Sequence, residues 1–99
     1  MLLAFVLKDL KGSNYGMPRF MRSAQDLRRD LAQQLVRDPD SLAAQFPGDY
    51  DIYCIGEWDE TSGQFKSYPD MEHVCSMSEI FQLAQAIAKQ SLTLKGGVK

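Results

Sequence analysis

A single histidine, His73, and two cysteines, Cys54 and Cys75, are present among 99 residues. Such a set cannot build the usual four-ligand structural zinc site, and the two thiols lack the spacing of a thioredoxin-like motif. No apolar run approaches the ~20 residues that a membrane-spanning helix needs. Met1–Leu7 is apolar but has neither a basic start nor a small-residue cleavage site, and Lys8 ends it, so it does not read as a signal peptide. Gly12 and Gly16 are not followed by Lys-Ser/Thr, so a phosphate-cradling loop is missing as well. Positive charge is also scarce. Eleven basic residues face thirteen acidic ones, for a net charge of −2, which argues against attraction of a polyanion by the whole molecule. What is there suits one globular domain: 44% hydrophobic and 24% charged residues, in a chain long enough for one real core.

The net charge hides an asymmetry. Residues 1–37 carry Lys8, Lys11, Arg19, Arg22, Arg28, Arg29 and Arg37 against three acids, a balance of +4. Residues 38–79 carry ten acids against Lys66 alone, a balance of −9. Two solvated faces of one domain would give this pattern, and so would an interaction surface.

Leu2–Leu7 is continuously apolar and reads as a central strand covered on both faces. Lys8–Gly16 reads as a turn or loop, and Pro18–Met21 as a short edge strand. Ser23 with Asp26 opens a helix whose Ala24, Leu27, Leu31 and Leu35 form one apolar stripe, and Asp38-Pro39 closes it. One or two further helical turns follow within Asp40–Phe46. Tyr50–Asp59 reads as the best strand. Strict alternation puts Tyr50, Ile52, Cys54, Gly56 and Trp58 on its core face, and Asp51, Tyr53, Ile55, Glu57 and Asp59 outside. Glu60–Gly63 is a hairpin turn and Gln64–Tyr68 the return strand. Pro69–Cys75 reads as irregular. Ser76 with Glu79 opens a second helix to about Gln90, with Met77, Ile80, Leu83, Ala84 and Ile87 as its stripe. The expected fold is α+β: an antiparallel sheet of three or four strands with two main helices packed on one face, a single domain over 1–90 and a flexible C-terminal tail over 91–99.

Signals of catalysis are poor. His73 is the only imidazole, and a dyad with Cys75 two residues away would be sterically crowded, so a surface histidine is the better reading. Cys54, on the core face, reads as a buried free thiol suited to a reducing compartment. Asp59–Gly63 resembles a calcium loop but lacks the later acidic ligands, and a hairpin turn explains it. The chain reads as a non-enzyme with no catalytic residues, no metal site and no cofactor.

Tyr15–Arg29 is more informative. It interleaves Tyr15, Arg19, Phe20, Arg22, Arg28 and Arg29, the mixture that holds single-stranded nucleic acid: guanidinium groups for phosphates, rings for base faces. A core position for Phe20 and a pairing of Arg28 with acids of its own helix fit the same residues, so two readings stand side by side. A second aromatic group (Tyr53, Trp58, Phe65, Tyr68) offers a sheet platform, but Asp51, Glu57 and Asp59 on the same face as Tyr53 would repel phosphates.

Three runs carry a family resemblance: Asp38-Pro39-Asp40-Ser41-Leu42, Phe46-Pro47-Gly48-Asp49-Tyr50, and Ile55-Gly56-Glu57-Trp58-Asp59 leading into Glu60–Phe65. In that order they resemble the small nonstructural protein of gokushoviruses, which are microviruses, tailless phages with circular single-stranded DNA genomes. The resemblance covers residues 3–68. It implies a non-enzymatic DNA-binding protein of the host cytoplasm, accessory to genome replication or to the switch to single-stranded DNA synthesis and packaging. It places the family's helix arginine at Arg28 or Arg29, and Arg19 stands where the family has a second aromatic residue. The expected partner is single-stranded DNA, met by Lys8, Lys11, Tyr15, Arg19, Phe20, Arg22, Arg28 and Arg29. The alternative is a module that binds a phage replication or capsid protein, or a host protein, through its acidic hairpin side. A homodimer through the Met77–Ala88 stripe, or cooperative head-to-tail self-association of the oppositely charged regions, is compatible with either. No membrane contact is expected.

Overall fold

The computed structural model describes residues 1–97, and the side chains of residues 1–90. Five strands form one antiparallel sheet: β1 (Leu2–Asp9), β2 (Asn14–Tyr15), β3 (Arg19–Met21), β4 (Tyr50–Asp59) and β5 (Gln64–Ser76). The order is β2-β1-β4-β5, and β3 pairs with β1 on the same side as β2. Helices α1 (Ala24–Arg37) and α3 (Met77–Gly97) pack on one face, and α2 (Leu42–Gln45) with a 3-10 turn at Pro47–Asp49 links α1 to β4. The α+β architecture is as the sequence implies.

Local chemistry sets the boundaries. Ser23 Oγ accepts from the Asp26 amide at 3.1 Å, and Ser76 Oγ accepts from the Glu79 amide at 3.3 Å, so each serine satisfies an orphan donor of its helix. Asp59 Oδ1 accepts from the Thr61 amide at 2.9 Å, and these turn hydrogen bonds hold its carboxyl below the usual range. Gly63 completes the hairpin at φ +71, where a side chain would be strained.

Leu27, Leu31 and Leu35 of α1 and Met77, Ile80 and Ala84 of α3 are buried against Phe5, Ile52, Cys54 and Cys75 of the sheet. Burying a side chain such as Phe5 contributes about 2–3 kcal/mol. The α3 stripe therefore packs on its own sheet and on α1, with Leu83 left partly exposed. Cys54 and Cys75 are free buried thiols.

Three expectations are corrected. Asn14–Tyr15, read as loop, forms a short strand on β1. Pro69–Cys75, read as irregular, continues β5. The proline is tolerated because β5 is an edge strand and residues 68–71 have no partner on β4, whose Cys54 pairs with Glu72 and Gly56 with Ser67. The helix expected to stop near Gln90 runs on to Gly97. The expected tail, 91–99, lies outside the residues whose side chains are described.

A fourth correction concerns β4. Phe5 pairs with Cys54 but Ala4 pairs with Gly56, so Ile55 is an extra residue without a partner on β1. This bulge inverts the alternation beyond it. Cross-strand partners share a face. Leu3, Phe5 and Leu7 look toward the helices, and so do their partners Glu57, Cys54 and Ile52. Leu2, Ala4 and Val6 look the other way, with Trp58, Gly56 and Tyr53. Gly56 and Trp58 thus leave the expected core face, while Glu57 and Asp59 move to the helix side.

Candidate nucleic-acid interface

The outer face of the sheet carries no helix, yet Ala4 and Val6 on it are buried. Aromatic side chains cover them. Phe20 on β3 is the partner of Ala4, Tyr53 of Val6, and Trp58 of Leu2. On β5, Phe65 pairs with Trp58 and His73 with Tyr53. Phe20 makes edge contacts with Trp58 at 6.5 Å and with Phe65 at 6.4 Å between ring centroids. Tyr53 and His73 meet edge-on at 5.2 Å. Leu2, Phe20 and Trp58 line an open hollow of about 410 Å³ that is almost wholly apolar.

The rings of Phe20 and Phe65, with Tyr15 nearby, are accessible, while Tyr53 and Trp58 are half-buried. Phe20 is 45% exposed, Tyr15 44% and Phe65 43%. Tyr15 faces Lys8, whose Nζ stands 5.6 Å from the ring centroid. Among the acids of β4, Asp51 shares this face as the partner of Lys8, and its Oδ1 lies 3.6 Å from His73 Nε2. The repulsion expected from Glu57 and Asp59 is removed, because the bulge puts both on the other side. Glu57 instead accepts a hydrogen bond from the Tyr68 hydroxyl at 2.9 Å. Burial and that bond push the Tyr68 phenol well above its usual range.

The expected DNA-contacting residues separate into groups. Lys8, Tyr15 and Phe20 lie together on the outer face. Arg22 stands at its rim, exposed, with a guanidinium nitrogen 3.9 Å from Glu60. Lys11 lies in the turn after β1, with its ammonium 3.4 Å from Asp49. Arg19, the partner of Phe5, points to the helix side and bonds Asp30 of α1 at 3.2 Å. Arg28 and Arg29 lie on the helical layer, where Arg28 donates to the Val74 carbonyl at 3.3 Å rather than to acids of its own helix.

The other candidates also resolve. His73, with its partner Tyr53, lies on the outer face and Cys75, with its partner Ile52, on the helix side, so the two form no dyad. Burial pushes both the Cys54 and the Cys75 thiols up from their ordinary value. Among the described residues, no three His, Cys, Asp or Glu side chains are grouped to hold a metal ion. None of the described helices is long and apolar enough to cross a membrane. The acidic set Asp51, Glu57 and Asp59 is split between the two faces of the sheet.

The family model described as Phage ORF5 protein matches residues 2–80. The chain belongs to that family. The part shared with the Phage ORF5 model takes in the whole sheet and α1 and ends in the first turn of α3. No curated protein matches the chain, and no solved structure does.

The sheet platform of Tyr53, Trp58, Phe65 and Tyr68 that the charge argument set aside is present without Tyr68, which turns to the helix side, and sequence reasoning missed that His73 and Phe20 join it. The available signal was Gly56: an isolated glycine inside a strand marks a bulge or a close backbone approach.

Proposed function

We propose that this phage protein binds single-stranded DNA across the outer face of its sheet, as a non-enzymatic accessory of genome replication or of the switch to single-stranded DNA synthesis and packaging in a gokushovirus, within the host cytoplasm. The observation that carries the reading is the aromatic cluster of exposed Phe20 and Phe65 with half-buried Trp58 on the helix-free face of the sheet, with Tyr15 and Lys8 beside it. Unpaired bases offer π-faces to such rings whatever their sequence, and a duplex does not. The low net charge is compatible with this mode, because stacking rather than counterion release supplies most of the affinity.

Fluorescence anisotropy with labelled single-stranded oligonucleotides tests it. If Lys8 and Arg22 meet two phosphates, log affinity falls with log salt at a slope of about −1.4. Loss of one stacking ring costs about 1–3 kcal/mol. Equal affinity for single strands and duplex, or affinity unchanged in Phe20→Ala and Phe65→Ala, would overturn the proposal.

A further inference from the structure

The arginines that the fold holds away from the outer face gather at a second surface. Gln25, Arg28, Arg29 and Gln33 of α1, with Leu83 and Ile87 of α3, line an open groove of about 420 Å³. Its floor is apolar and its α1 wall is basic. Leu83 is 39% exposed there, although it belongs to the stripe that packs the rest of α3. Arg29 has no hydrogen bond or ion pair among the described residues, whereas Arg28 is anchored on Val74.

A segment of opposite charge lies elsewhere on the same chain. Where residues 68–71 face Ile55 alone, β5 bulges out of its ladder at the free edge of the sheet. Asp70, Met71 and Glu72 are all exposed there, and neither carboxylate makes a hydrogen bond or ion pair among the described residues. Two apart in the strand, Asp70 and Glu72 share one face and present two carboxylates that complement the two guanidinium groups of the groove wall.

We propose that two copies of this chain dock through these surfaces. Asp70 and Glu72 of one copy meet Arg28 and Arg29 of the next, beside Leu83 and Ile87. The contact leaves the outer face of both copies open and needs no DNA. A reciprocal dimer and an open chain are both built from it, depending on whether the rotation between copies closes.

Sedimentation velocity of the full chain without DNA, at about 50 mM and about 500 mM salt, tests it, since screening at the higher value weakens exposed ion pairs. The expected result is association at low salt and monomer at high salt. Arg29→Glu and the pair Asp70→Lys with Glu72→Lys should each be monomeric at low salt, with unchanged thermal melting as the check on folding. An equimolar mixture of the two variants should associate again, because one supplies an intact groove and the other an intact bulge. A chain that is monomeric at low salt, or variants that sediment like the parent, would overturn the proposal. An acidic segment of another protein would then be the fitting occupant of the groove. Because DNA is absent, none of these outcomes bears on the single-strand reading.

Discussion

The ring of Phe65 lies across Gly56. A Cβ built at position 56 would stand 2.6 Å from Phe65 Cζ and would also collide with the Lys66 carbonyl oxygen. The missing side chain lets the end of an aromatic ring from the edge strand come close to the neighbouring backbone, beside Phe20. Gly56→Ala should therefore displace both the ring and the β5 backbone. The expected loss of stability is about 1–3 kcal/mol, read as a lower urea midpoint, with weaker single-strand binding in the fraction that folds.

Arg19 supplies a contrast. Its guanidinium bonds Asp30 at 3.2 Å with both side chains partly exposed, a pair worth about 0.5 kcal/mol. Arg19→Ala should lower the unfolding midpoint slightly and leave oligonucleotide affinity unchanged. A large loss of affinity without a stability change would place Arg19 in the interface after all.

The buried thiols and Tyr68 set the alkaline limit. Burial raises the folded-state values of Cys54 and Cys75 above 9.0 and of Tyr68 above 10.0. Between each ordinary value and the raised one, the folded chain binds more protons than the unfolded chain, so stability falls as pH rises. Urea midpoints should be flat with respect to these groups at neutral pH and decline above pH 9. Cys54→Ala with Cys75→Ala should shallow that decline. For the same reason a thiol reagent should react slowly with the native protein near neutral pH and rapidly in denaturant.

Much of this fold is legible in the residues themselves. The capping serines Ser23 and Ser76, the Leu27-Leu31-Leu35 stripe, the Gly63 turn and the doubly buried β1 all follow from local chemistry and periodicity. The interface is less legible, because its composition depends on register. One extra residue at Ile55 moves Trp58 and Gly56 to one face of the sheet and Glu57 and Asp59 to the other. Alternation counted through that point assigns each of them to the wrong side. The arginines mislead for a related reason: Arg19 and Phe20 are adjacent in a strand and so point to opposite faces. Pro69 marks a break in pairing, but it does not reveal that the strand resumes at Glu72.

The central claim is that bases stack on the outer face, and Trp58, the only tryptophan in the chain, reports on it directly. Titrating the protein with a single-stranded oligonucleotide while following tryptophan fluorescence is the most direct measurement. The account predicts saturable quenching of Trp58, weakened by Phe20→Ala and Phe65→Ala and unaffected by Arg29→Glu. Binding detected by anisotropy with Trp58 emission unchanged, or binding lost in Arg29→Glu alone, would contradict it and place the DNA on the helical layer.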